Sequence, residues 1–309
     1  MKNIHTLFRP IAITCSRVLA IAVVIAFFFL SPTQATSSQA SWRDDPAWYS
    51  GKAEWALYDA VRVVYGKPRQ YEATIFTNKQ YMDPSTTTKA SNWHDPDSIE
   101  VFKHNISEIF PTENYPYRML TTSFIRTDNL QPYKLTASSQ EDCGSSFRNF
   151  VEQNNQMKVD QFCYFPDAGH SQQTIDTSKG IAFHNALSLT LRDFPFGAVF
   201  IKQPELNLIP DQRKNTKTKT SPVKATITDL GEEEITVPYG KLKAHHLRID
   251  HAEDGGETES HFWFAADPKL LNVMVQYQGP YGIKYKLKNY GWWAYWDRNN
   301  KKPDSHKKQ

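Results

Sequence analysis

The chain has 309 residues, 39% of them hydrophobic, with 36 Lys+Arg against 33 Asp+Glu. Its first forty residues hold three of the basic side chains (Lys2, Arg9 and Arg17) and no acidic one, so residues 41–309 balance at 33 of each sign. Balanced charge argues against nucleic acid or another polyanion as partner, and about 270 residues suit one large β domain or two small ones.

Val18 to Leu30 is an unbroken run of thirteen apolar residues. It follows a basic stretch and precedes small-residue sites at Thr33-Gln34-Ala35 and Ser38-Gln39-Ala40. A span needs roughly 20 apolar residues, so residues 1–40 read as a cleavable secretory signal, and the expected location is periplasmic or extracellular. An uncleaved, tilted membrane anchor is the competing reading. Cys15 precedes the apolar run, which excludes it as a lipoprotein acceptor. After cleavage two cysteines remain, Cys143 and Cys163, and an even pair in an oxidising compartment predicts a disulfide, against two unpaired thiols. There is no C-x-x-C motif.

Downstream, period-2 alternation dominates. Trp55, Leu57, Val61 and Val63 share one face, and Tyr65-Gly66-Lys67-Pro68 breaks the run before Tyr71, Ala73 and Ile75, a hairpin signature. Residues 83–97, rich in Thr, Ser, Asn and Pro, read as loop. Strands are predicted over 98–109, 117–126 and 132–139, with a turn at Thr127-Asp128-Asn129. Only residues 181–191 carry helical spacing, through Phe183, Leu187 and Leu191 with Ala186 beside them. Residues 203–222, with Arg213, Lys214, Lys217 and Lys219 among polar neighbours, read as a solvated hairpin loop, the alternative being contact with lipid headgroups.

The last third alternates most regularly. Strands are predicted over 227–230, 234–237 and 241–251, with turns at Gly231, Pro238-Tyr239-Gly240 and Asp254-Gly255-Gly256. Leu247, Ile249, Phe262, Phe264, Val273, Val275, Tyr277, Ile283, Tyr285 and Leu287 fall on one side of four successive strands, while Lys284, Lys286 and Lys288 fall on the other. Residues 41–296 thus read as a single, mainly β domain, and 297–309 as a disordered polar tail.

Thr236-Val237-Pro238-Tyr239-Gly240-Lys241-Leu242, His261-Phe262-Trp263-Phe264-Ala265-Ala266-Asp267-Pro268 and Ala186-Leu187-Ser188-Leu189-Thr190-Leu191-Arg192 are similar to motifs of the DUF3108 family. The first departs from the family's turn by an extra residue between Thr and Pro and by Leu for its aromatic. The resemblance covers roughly residues 181–290. It implies an exported protein with a large curved antiparallel sheet, similar to the unclosed barrels of lipoprotein-carrier proteins, with a short helix near the mouth. It brings no reaction, cofactor or catalytic residue.

Chemistry-bearing motifs are absent: no G-x-S-x-G, no Gly-rich phosphate loop, no H-E-x-x-H. His245, His246, His251 and His261 crowd into one hairpin, but His246 and His261 are expected to stand too far apart to share a metal, and Asp250 is expected opposite His261. Glu232, Glu233 and Glu234 read as solvated charge. Trp292, Trp293, Tyr295 and Trp296 put aromatics on both faces of one strand, to be covered by residues 41–50 with Trp42 and Trp48, or by a ligand, partner or membrane interface. The expected function is non-catalytic binding or carriage of a hydrophobic ligand, a lipid or acyl chain, held by the ten apolar residues above, with no cofactor or metal. An envelope-assembly protein binding another protein is the alternative, and a hydrolase with a concealed site a third.

Overall fold

The computed structural model describes residues 41–198, 204–253, 256–300 and 302. The expected signal, residues 1–40, and most of the expected tail lie outside them. Residues 297–300 are described, and Trp293 Nε1 donates to the Asn300 carbonyl (3.0 Å).

A first meander comprises β1 (Ala53–Val64), β2 (Lys67–Asp83), β4 (Ile99–Phe110), β5 (Tyr117–Arg126), β6 (Pro132–Glu141), β7 (Gly144–Gln153), β8 (Gln156–Cys163) and β9 (Gly169–Asp176). The short β3 (Thr88–Lys89) pairs with β2. The chain then leaves the meander through β10 (Ala182–Phe183), a 3-10 turn, α1 (Leu187–Thr190) and a second 3-10 turn, Leu191–Asp193. A second meander follows through β11 (Glu205–Ile209), β12 (Val223–Val237), β13 (Gly240–Glu253), β14 (Gly256–Ala265), β15 (Met274–Gln278) and β16 (Lys284–Trp293). β16 pairs with β1, and β10 with β11, so both meanders merge into one sheet whose unpaired edges are β9 and β10. The predicted mainly β, curved, half-open sheet with short helices is what the chain forms.

The sheet curls because its interior has something to wrap. Residues 183–189, 191 and 192 are all buried, the mark of a segment enclosed on every side rather than laid on a surface. Leu187 and Leu191 pack on β1, β12, β13 and β16 through Tyr58, Ile227, Leu247 and Leu287. Phe183, Ala186 and Leu189 pack on the other half, against Phe102, Leu135, Phe150 and Val159. Only residues 177–181 separate the end of β9 from β10, and Asn207 of β11 donates to the Gly180 carbonyl (3.0 Å) in that connection.

On β1, Trp55, Leu57, Val61 and Val63 share one face as expected, and it is the outward one; the inward face is Ala56, Tyr58 and Ala60 with Glu54 and Arg62. Four expectations are corrected. Gly231 marks not a turn but a bulge in a continuous β12, the register shifting between Asp229 and Glu232. The helix expected over 181–191 contains a single α turn flanked by 3-10 turns. The described part of the expected solvated loop over 203–222, residues 204–222, folds inward instead, with Asp211, Gln212, Arg213 and Thr218 buried. Finally, Cys143 and Cys163 are both free. They do flank a hairpin, with Asn154-Asn155 as its two-residue turn. However, Cys163 pairs with Ser146, so Cys143 lies three positions further along, roughly 10 Å away at 3.3 Å per residue and beyond disulfide reach. Its sulfur instead accepts from Tyr115 Oη (2.6 Å), while Cys163 Sγ donates to the Asn215 carbonyl (3.3 Å).

Candidate functional site

All ten residues expected to line a ligand-holding concavity are buried at 2% exposure or less, within a core shared with Leu187, Leu191 and Leu208. Leu247 faces Phe262, and Phe262 faces Tyr277, across adjoining strands, as the alternation requires. A bulge opposite Trp263-Phe264 shifts the β15 register, and Met274 is buried along with Val273 and Val275. The concavity exists, but the chain's own helical segment and residues 210–213 occupy it.

What periodicity could not reveal is how polar that occupied interior is. Arg213 grips Asp211 through Nε (3.0 Å) and Nη2 (2.6 Å), and its Nη1 donates to Tyr285 Oη (2.6 Å). Tyr285 Oη in turn donates to Glu108 Oε1 (2.6 Å), which also accepts from Tyr71 Oη (2.5 Å). Arg62 Nη2 donates to the Arg213 carbonyl (2.7 Å), and Arg62 Nη1 stands 3.9 Å from Glu108 Oε2. Burial alone would raise the Asp211 carboxyl, but the Arg213 guanidinium outweighs it and holds the group well below the usual carboxylate range. Arg148 reaches Gln161 Oε1 (2.8 Å) and the carbonyls of Lys214 (2.8 Å) and Thr216. Burial pushes its guanidinium down to about 10. Charged groups enter an interior when they are paired and hydrogen-bonded, so these residues anchor the interior loop to both halves of the sheet.

Ser260 Oγ lies 3.0 Å from His184 Nε2, and His184 Nδ1 lies 3.9 Å from Asp211 Oδ2. The order imitates a nucleophile, base and carboxylate. Ser260 is nevertheless wholly buried on β14, and burial drives His184 down to about 3. A nucleophile sealed under a sheet meets no substrate.

At one end of the sheet this interior opens into a cleft of about 580 Å³. Val63, Val64, Phe110, Tyr117, Met119 and Phe165 supply apolar wall, and Arg62 and Arg213 reach it from the buried network. Lys214, Lys217 and Tyr281 also line it, with Lys214 Nζ donating to Tyr281 Oη (2.6 Å). None of the ten expected residues lines this cleft; Tyr277 and Tyr285 connect to it through Arg213, whose guanidinium lies over their rings at 5.8 and 5.7 Å. The basic run flagged in the sequence is the signal that leads here.

The histidine hairpin divides between faces. His245 turns inward and stacks on Phe196, and His251 turns inward toward Ser260 (3.4 Å). His246 and His261 turn outward and meet at 2.8 Å, closer than expected, because side chains on neighbouring strands reach diagonally across the ladder. The observed register sets Arg248 opposite His261 and Asp250 opposite Glu259. Glu233 accepts from His246 Nδ1 (2.9 Å) and Trp263 Nε1 (2.6 Å). Among the described residues no group of three or more His, Cys, Asp or Glu is placed to hold a metal, and no helix is long and apolar enough to cross a membrane. No family model, curated protein or solved structure matches the chain.

Proposed function

We propose that the protein is a non-catalytic binder of an amphipathic ligand, an acyl chain with an anionic head, in an extracytoplasmic compartment, and that the mouth cleft receives it. The observation that carries this reading is the cleft's composition: apolar walls converging on Arg62 and Arg213, with Lys214 and Lys217 beside them. Its volume falls within the range typical of small-molecule sites. Each buried methylene would contribute about 0.8 kcal/mol, and the basic residues would orient the head.

A fluorescent fatty acid tests the reading, with Val63→Glu and Lys217→Glu as variants at solvent-accessible positions. Binding near micromolar affinity, displaced by unlabelled fatty acid and weakened about tenfold or more by either substitution, is the expected result. A folded protein that leaves the probe unbound would remove the proposal.

A protein-binding role is the second reading, and one observation favours it. Leu120, Phe147 and Phe162 are exposed, and with Ser138 and His170 they form one cross-strand row over β5 to β9, reaching the sheet's unpaired edge. An exposed apolar row beside an open edge suits a docking partner.

A further inference from the structure

A second cleft, of about 660 Å³, has a different chemistry. Its floor crosses β2, β3 and β4: Asn78 pairs with Lys103 and Met82 with Lys89 across the ladder, and Gln80 lies between. Trp93, 59% exposed, comes from the loop after β3, and Trp296, 53% exposed, follows β16 beside Tyr295. Tyr295 is braced against Phe76 with ring centroids 4.1 Å apart, and Trp296 meets Tyr295 edge-on at 5.0 Å. Lys52, Lys79, Lys89 and Lys103 all line the cleft.

Two features there are left incompletely satisfied by the fold itself. Lys79 is engaged, with Glu100 3.5 Å away and the Tyr49 ring 4.5 Å away. Lys103 is only partly accessible and has no carboxylate partner among the described residues; burial, and after it the neighbouring Lys89, press its ammonium toward the neutral form. A half-buried cation beside another cation is a cost that an incoming anion would relieve. The indoles are the second feature. Trp93 is braced by His94 at 3.5 Å and Tyr81 at 6.1 Å between ring centroids. Trp93 and Trp296 each keep more than half of their surface in water beside the concavity, as recognition surfaces do. A ligand that satisfies both carries negative charge, a flat apolar ring face, and hydroxyls for the amides of Asn78 and Gln80.

From this cleft we infer a site for an acidic oligosaccharide, in which pyranose faces lie on Trp93 and Trp296 and uronate carboxylates meet Lys103 and Lys89. The overall charge balance of residues 41–309 is no obstacle, because the positive charge is local. A bilayer surface is flat and fits the concavity less well. Single-stranded nucleic acid shares stacking and charge but presents bases where the cleft offers amides for hydroxyls.

The experiment is isothermal titration of the full chain with galacturonate, mannuronate and glucuronate-containing hexamers. Neutral hexoses of equal length, a short single-stranded DNA and anionic phospholipid vesicles are the comparators. At least one uronate hexamer should bind, at least tenfold more tightly than the neutral hexoses, with affinity falling as salt rises. Trp93→Ala and Lys103→Gln should each weaken it about tenfold, and Lys284→Gln, on a remote outward position, should leave it unchanged. A fatty-acid probe should not compete, which separates this site from the mouth cleft. The inference is overturned if no uronate binds to protein whose melting curve is intact, if neutral hexoses bind equally, or if DNA or vesicles bind more tightly with the same sensitivity to Trp93→Ala.

Discussion

Single residues reveal most where charge is buried. Glu54 and Arg192 have side chains 1% exposed and meet through two hydrogen bonds, Nη1 to Oε2 (2.9 Å) and Nη2 to Oε1 (2.7 Å). Tyr290 Oη donates to Glu54 as well (3.1 Å), and the guanidinium lies over the Trp42 ring. Burial alone would lower the Arg192 pKa, yet Glu54 more than compensates and raises it. The pair ties the helical segment to β1. Arg192→Ala leaves Glu54 buried without a countercharge, held only by the Tyr290 hydroxyl, and it should cost about 3–5 kcal/mol in urea denaturation. The double variant Glu54→Gln, Arg192→Met should recover much of that loss, because no ion is then stranded. A single variant as mild as a surface substitution would show the pair to be hydrated.

Strands and turns are governed by shorter-range rules. Asn154 and Asn155 both take positive φ (55° and 59°) between β7 and β8, as a two-residue hairpin turn of this hand requires. Both are exposed, so a change there alters backbone preference with little loss of packing. Asn155→Val should therefore destabilise by about 1–2 kcal/mol, and Asn155→Gly should be neutral or slightly stabilising, read as shifts in denaturant midpoint. The same turn explains the misplaced disulfide. Cys143 and Cys163 flank this hairpin, but its two-residue turn fixes a register that leaves Cys143 beyond the end of β8.

At the scale of the whole molecule, the curled sheet seals polar groups that titrate. His104 bridges Thr77 Oγ1 (2.8 Å) and Ser188 Oγ (2.9 Å), while His184 sits among Asp211, His251, Arg213 and Lys214. Burial depresses both to about 3; Arg192 lowers His104 further, and Asp211 only partly offsets the effect at His184. Folded-state values below the unfolded value near 6.5 mean that the unfolded chain binds more protons between roughly pH 3 and 6.5. Their contribution is therefore fully present above pH 6.5 and is lost as pH falls. Each histidine should remove about 2 kcal/mol between pH 7 and pH 5. Chemical denaturation at the two pH values checks this, and His104→Gln should show about half the pH-dependent loss of the parent. Equal losses in parent and variant would mean that His104 is protonated in the fold.

Much was legible in the sequence alone. Alternation located β4, β5, β6 and the C-terminal strands, Thr127-Asp128-Asn129 and Pro238-Tyr239-Gly240 located two of their turns, and the regular lysines of β16 identified its wet side, because period-2 burial is a local property of the chain. Of the turn expected at Asp254-Gly255-Gly256, residues 254–255 lie outside the described residues. Helical spacing marked residues 181–191 as the segment that leaves the sheet, though it could not say that the segment would be enclosed. The tertiary structure alone decided what faces inward on β1 and where residues 204–222 go. Glu54, Arg62, Asp211 and Arg213 read as surface in isolation and become interior only through partners more than fifty residues away or through a loop folded into the sheet. The two clefts were decided at the same level, since their walls are gathered from β1, β2, β4, the interior loop and the C-terminal aromatics. Side-chain pairing across such distances is a property of the closed fold, which no local period encodes.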